Sequence, residues 1–79
     1  MERKKFNRIK AVLAETGKLN KDVAIHVKVT EETVSRWASN SAQPSIDRLF
    51  QIADFLKVDV RTLLVSNLSK NKPTESEEL

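Results

Sequence analysis

The stretch NKDVAIHVKVTEETVSRWAS, residues 20–39, decides how this chain folds. Val23, Val27, Val29, Val34 and Trp37 recur at the intervals that two short crossed helices need, and Ala24 is small enough to let the second helix approach the first. Thr30 stands ahead of Glu31 and Glu32, a hydroxyl cap followed by acids that favour the positive end of a helix dipole. A helix therefore starts there. It closes near Ser39, where Asn40 tolerates the left-handed backbone almost as well as glycine.

The pattern continues outward on both sides. Phe6, Ile9 and Leu13 share one face with Val12 beside it, and Gly17 stops a first helix predicted at about residues 5–16. The second helix runs from about Asn20 to Val27. Beyond Pro44, Ser45 caps a fourth helix over about residues 46–56, with Ile46, Leu49, Ile52, Ala53 and Leu56 inward. Asp59 caps a short last helix holding Val60, Leu63 and Leu64. With one glycine, two prolines and no strand-like alternation, the chain reads as all-α. From Ser66 the composition turns to Ser, Asn, Lys, Pro, Thr and Glu. The expected division is a folded domain over residues 1–66, with its motif at 20–39, and a polar, flexible tail over 67–79.

Seventy-nine residues make one domain, and a core of this size supplies only about 3–5 kcal/mol of net stability without a staple. There is no cysteine, so disulfides and thiolate metal sites are excluded. Apolar runs fall short of the ~20 residues of a membrane span, and no apolar stretch of signal-peptide type follows the basic N-terminus. A cytoplasmic protein without a membrane partner is expected. Formal net charge is +3, with 12 Lys and Arg against 8 Asp and Glu over residues 1–68. This balance permits a polyanion partner.

The helix pair is a helix-turn-helix, and the stretch VAIHVKVTEETVSRWASNSAQPSIDRLFQIADFLKVDVRTLL resembles the Cro and phage-repressor family, also called XRE. Ser-Arg-Trp at the end of the third helix, Pro-Ser opening the fourth and Ile-Ala inside it carry the match, over about residues 6–65. The resemblance implies a compact five-helix, lambda-repressor-like domain. It also implies that the third helix enters a DNA major groove, with Glu31, Glu32, Thr33 and Arg36 at the base edges. A guanidinium such as Arg36 can bond both acceptors of a guanine, and a glutamate can accept from the cytosine amino group. Capping the helix dipole explains both glutamates equally well.

Phosphate contacts implied by the same resemblance fall on Asn20, Asn40, Ser41, Gln43 and Ser45, although capping alone accounts for Asn40 and Ser45. Arg3, Lys4 and Lys5 form a candidate arm along the DNA backbone, set against the plainer reading of a solvated face that extends over Arg8 and Lys10. Three positions depart from the family pattern. Lys28 and Lys57 replace glycines, at a cost of about 1 kcal/mol each for a left-handed side-chain residue. Leu19 stands where a hydroxyl cap opens the second helix, which leaves Asn20 as the expected cap.

A lone His26 makes no metal site, and no nucleophile triad or glycine-rich phosphate loop is present. The expectation is a non-enzymatic, sequence-specific DNA-binding regulator of bacterial or phage type, without cofactor, metal or small-molecule substrate. It would act as a homodimer through Phe50, Phe55, Val65 and Leu68, reading half-sites about 34–36 Å apart. The alternative is a protein-interaction module, such as the antitoxin of a toxin-antitoxin pair.

Overall fold

A computed structural model describes residues 4–68. Four α-helices, α1 (Ile9–Thr16), α2 (Asn20–Val27), α3 (Glu31–Ala38) and α4 (Ile46–Leu56), are followed by a 3-10 turn, Val60–Leu63. The architecture is all-α, as the periodicity predicts, with the last of the five elements tightened to one 3-10 turn. Arg3 and residues 69–79, hence most of the expected tail, lie outside the described residues.

One core joins all five elements. Ile9, Val12 and Leu13 from α1, Val23, Ala24 and Val27 from α2, and Val34 and Trp37 from α3 meet Leu49, Ile52, Ala53 and Leu56 of α4 and Leu63. α2 packs chiefly on α3 and on α4, while α1 closes over α3 and the 3-10 turn. The wedge of α2 and α3 is therefore held from two sides. That support fixes the direction in which α3 presents its outer face.

Hydrogen bonds at the helix ends explain the boundaries. Thr30 Oγ1 accepts from Thr33 N at 3.1 Å, Ser45 Oγ from Arg48 N at 3.1 Å and Asp59 Oδ1 from Arg61 N at 2.8 Å, so the three caps read from sequence all form. The Arg61 guanidinium and backbone N–H together lower the Asp59 carboxyl to about 2. At α2 the expectation fails. Leu19, which has no side-chain acceptor, is the residue before the helix, and Asn20 is the first helical residue. Asp22 replaces the missing cap by taking the Leu19 N–H on its carboxylate at 2.8 Å.

Two apolar residues predicted to face inward do not. Phe6 is 51% exposed because α1 begins only at Ile9, after an extended segment in which Asn7 forms an antiparallel bridge with Leu64. Ile46 is 69% exposed. At about 100° per residue it stands beyond the edge of the stripe formed by Leu49, Ile52, Ala53 and Leu56, on the side of Phe50. Leu64 ends the last turn instead of extending it, and it too is exposed.

The two ends of the described chain are clasped. Val65 N donates to Phe6 O at 3.0 Å and Arg8 N to Leu63 O at 2.8 Å, and the Arg8 guanidinium reaches Thr62 O at 2.9 Å. This seam covers Ile9 and Leu63, both fully buried.

Lys28 and Lys57 adopt φ of 62° and 60°, the left-handed backbone anticipated where the family carries glycine. The Lys28 turn is closed by Val29 N donating to Ala24 O at 3.0 Å. Lys28→Gly is expected to stabilise the protein by about 0.5–1 kcal/mol, since relief of side-chain strain outweighs the extra entropy of an unfolded glycine. A rise of a few degrees in the thermal midpoint would register it; a fall would place the strain elsewhere.

Candidate nucleic-acid interface

α3 divides its side chains cleanly. Val34 and Trp37 are buried against the core, while Glu31, Glu32, Ser35 and Arg36 are exposed and Thr33 is half-buried. Thr33 turns its hydroxyl back to Thr30, Oγ1 to Oγ1 at 2.8 Å, so it reinforces the cap. Glu32 and Arg36, one turn apart, form an ion pair with Arg36 Nη2 donating to Glu32 Oε2 at 2.9 Å. Both side chains are mostly in solvent, where such a pair is worth only about 0.3–0.5 kcal/mol. The contact uses a single donor of a guanidinium that has five. It orients Arg36 without consuming it.

The C-terminal end of α3 is a polar knot that sequence reasoning left out. Asn40, at φ 62°, accepts on Oδ1 from Phe6 N at 2.9 Å, Asn7 N at 3.1 Å and Gln43 Nε2 at 3.0 Å, and donates from Nδ2 to Asn7 O at 3.1 Å. The buried Asn7 returns the contact, donating to Trp37 O at 2.9 Å and Gln43 Oε1 at 2.8 Å while accepting from Ile9 N at 2.9 Å. Both amide hydrogens of Asn7 are thereby used. Asn40 and Gln43 each keep one amide hydrogen with no partner among the described residues. The sequence held a clue in the Asn-x-Ile spacing, since an asparagine two residues ahead of a helix commonly bonds the backbone N–H there. The neighbouring Phe6 disguised it by extending the apolar face.

After α3 the chain curls around a single carbonyl. Ser41 N and Ala42 N donate to Arg36 O at 2.9 and 3.2 Å, and Ser39 Oγ reaches the same oxygen at 3.2 Å. Ser39 and Ser41 share a hydroxyl contact of 2.8 Å, and Ser41, Gln43 and Ser45 are exposed along the way to α4. Asn20, half-buried at the start of α2, lies on the other flank of α3, in a groove that it lines together with Glu31, Ser35 and Ser39. Lys4 and Lys5 are exposed before the clasp. Apart from Lys4 and Lys5, the described residues singled out from sequence thus fall into three groups, on the outer face of α3, at its C-terminal end and across its flank.

A family model described as helix-turn-helix matches residues 9–63, from the first residue of α1 to the last of the 3-10 turn. The chain belongs to this helix-turn-helix family. A crystal structure from Bacteroides fragilis, of a protein described as a candidate DNA-binding protein, superposes with a TM-score of 0.76 at 45% sequence identity. The alignment covers 78% of this chain and 100% of that one. No curated protein matches the chain. The Cro and phage-repressor likeness read from Ser-Arg-Trp and Pro-Ser is thus a family membership, and α2 and α3 are the two helices of the family's motif. Among the described residues, no helix is long and apolar enough to cross a membrane.

Proposed function

We propose that this helix-turn-helix protein binds double-stranded DNA in a sequence-specific manner and regulates transcription by occupying an operator. One observation carries the reading: the outer face of α3 is open to solvent along its length while Val34 and Trp37 anchor it from behind. A helix so mounted enters a major groove of about 12 Å without disturbing the core. Arg36 supplies the guanine contact. Glu32 holds it in place, and Glu31 and Glu32 accept from cytosine amino groups where the register allows. The spare amide hydrogens of Asn40 and Gln43, with Ser41, Ser45 and Asn20, take phosphate oxygens and fix the register. Lys4 and Lys5, with Arg3, extend along the backbone. The role is non-catalytic and cytoplasmic, and the relative from Bacteroides fragilis supports the DNA ligand by its description.

A homodimer reads two half-sites. Phe50, Val65 and Leu68 are exposed and suit a contact between copies, together with Ile46, which was not expected there. Phe55 is withdrawn from that surface, because it packs on the core and stacks on His26 with ring centroids 4.6 Å apart. The same exposed apolar residues favour the second reading, a module that binds a protein partner, as antitoxins do.

Selection of bound duplexes from a random pool at fixed salt tests the main reading. It is expected to yield a two-fold repeat containing guanine, and Arg36→Ala is expected to weaken that duplex by about 1–3 kcal/mol while relaxing the preference at one base pair. Equal loss on all duplexes would remove Arg36 from base reading, and absence of any bound duplex would leave the protein-partner reading.

A further inference from the structure

We propose that His26, Lys28 and Arg48 form a binding site for a free phosphate group, inorganic or carried as a phosphomonoester. The site is a cleft of about 370 Å³ where the C-terminal end of α2 meets α4, lined by His26, Val27, Lys28, Arg48 and Gln51. No carboxylate lines it. Neither Lys28 nor Arg48 has a carboxylate within 4.0 Å among the described residues. The lining includes no residue of α3 or of the chain between α3 and α4, so the site stands apart from the DNA reading.

Second contacts hold two of the donors in place. The half-buried Arg48 uses one guanidinium nitrogen, Nη1, donating to Val27 O and to Gln51 Oε1 at 3.4 Å. Its Nε–H and both Nη2 hydrogens have no partner among the described residues, and that planar edge matches two oxygens of a phosphate. Gln51 is itself tied to Asp47, with Nε2 donating to Oδ2 at 3.1 Å; this acid neighbours the cleft without lining it. The His26 ring is stacked on Phe55, centroids 4.6 Å apart, which fixes the plane in which its ring N–H donates. The carbonyl end of α2 opposes an anion, and Arg48 counters it by covering Val27 O.

Lys28 completes the cluster at a cost. At φ 62° it holds a left-handed backbone that glycine adopts freely, so the chain carries a side chain where its removal would relieve strain. An ammonium in the same cleft as the Arg48 guanidinium gives that side chain a role, since the two cations together neutralise a phosphate dianion.

Thermal melting of the full chain in inorganic phosphate, against chloride at equal ionic strength, tests the site. Phosphate about tenfold above a Kd of ~1 mM is expected to raise the midpoint by about 5–10 °C. Lys28→Gly should melt above the parent in chloride yet lose about half of the phosphate increment, as an about fivefold weaker Kd dictates. Lys57→Gly relieves the same left-handed strain outside the cleft and should keep the whole increment. Equal increments in all three proteins would reduce the effect to the general action of an excluded salt and overturn the site. Backbone amide shifts during the titration should be largest at residues 26–28 and 48–51; shifts centred on Lys4, Lys5 or Lys10 would overturn it as well. A DNA phosphodiester is the other source of this chemistry. Lys28→Gly is expected to leave the salt slope of duplex binding unchanged, whereas a slope shallower by about 0.9 would give the cleft to DNA and overturn the free-phosphate assignment.

Discussion

Trp37→Ala leaves little or no folded protein at room temperature. Trp37 is only 6% exposed, in the single core that joins every element, and truncating such a residue removes about 3–5 kcal/mol. A cysteine-free domain of this length has a net stability of about the same size. Nothing else is at hand to offset the loss, since the core has one layer and each helix meets it once. Circular dichroism at 222 nm should show most of the helix signal gone at 25 °C, with no cooperative thermal transition. Trp37→Phe, which keeps most of the apolar volume, should restore the transition at a lower midpoint. An alanine variant that melted cooperatively within a few degrees of the parent would mean that the cavity collapses, and that α3 is held chiefly by its neighbours.

The second large effect is expected at a polar residue. Asn7→Ala removes a side chain that satisfies Trp37 O, Ile9 N and Gln43 Oε1 together, two of them backbone groups beside the core. A buried polar group left without a partner costs about 1–3 kcal/mol. The substitution should destabilise the protein by about 2–4 kcal/mol in urea denaturation. Asn7→Asp separates geometry from chemistry, because a carboxylate retains the acceptor for Ile9 N and cannot donate to Trp37 O or Gln43 Oε1. It should be nearly as damaging as alanine. A loss below about 0.5 kcal/mol for alanine would show that water substitutes for the amide.

The contrast between these two residues shows what a sequence discloses. Trp37 declared itself through its spacing from Val34, because helix periodicity is local and a buried stripe repeats every three or four residues. The caps at Thr30, Ser45 and Asp59 were legible for the same reason, whereas the left-handed turns at Lys28 and Lys57 were expected only from the family resemblance, which carries glycine there. Asn7 offered only its local Asn-x-Ile spacing, since its partners Trp37 and Gln43 lie 30 and 36 positions away and nothing local announces them. Phe6 and Ile46 misled in the opposite direction. Each is an apolar residue at or beyond a helix end, where the periodicity that predicts burial has too few repeats to fix a face.

The candidate interface divides along the same line. The exposed edge with Glu32 and Arg36 could be read from their four-residue separation, whereas the grouping of Asn20 with Glu31 and Ser35 depends on how α2 lies across α3. Charge counting singled out the N-terminal run of Arg3, Lys4, Lys5, Arg8 and Lys10. There Arg8 proves to be occupied with Glu15 and Thr62.

The clasp between Phe6 and Val65 has a practical corollary for anyone labelling the protein. Because Phe6 and Val65 lie side by side and Phe6 N donates to Asn40, a fluorophore attached at either residue would crowd one corner of the proposed DNA-facing surface. Attachment at Lys57, at the far end of α4 from Ser45, avoids that corner.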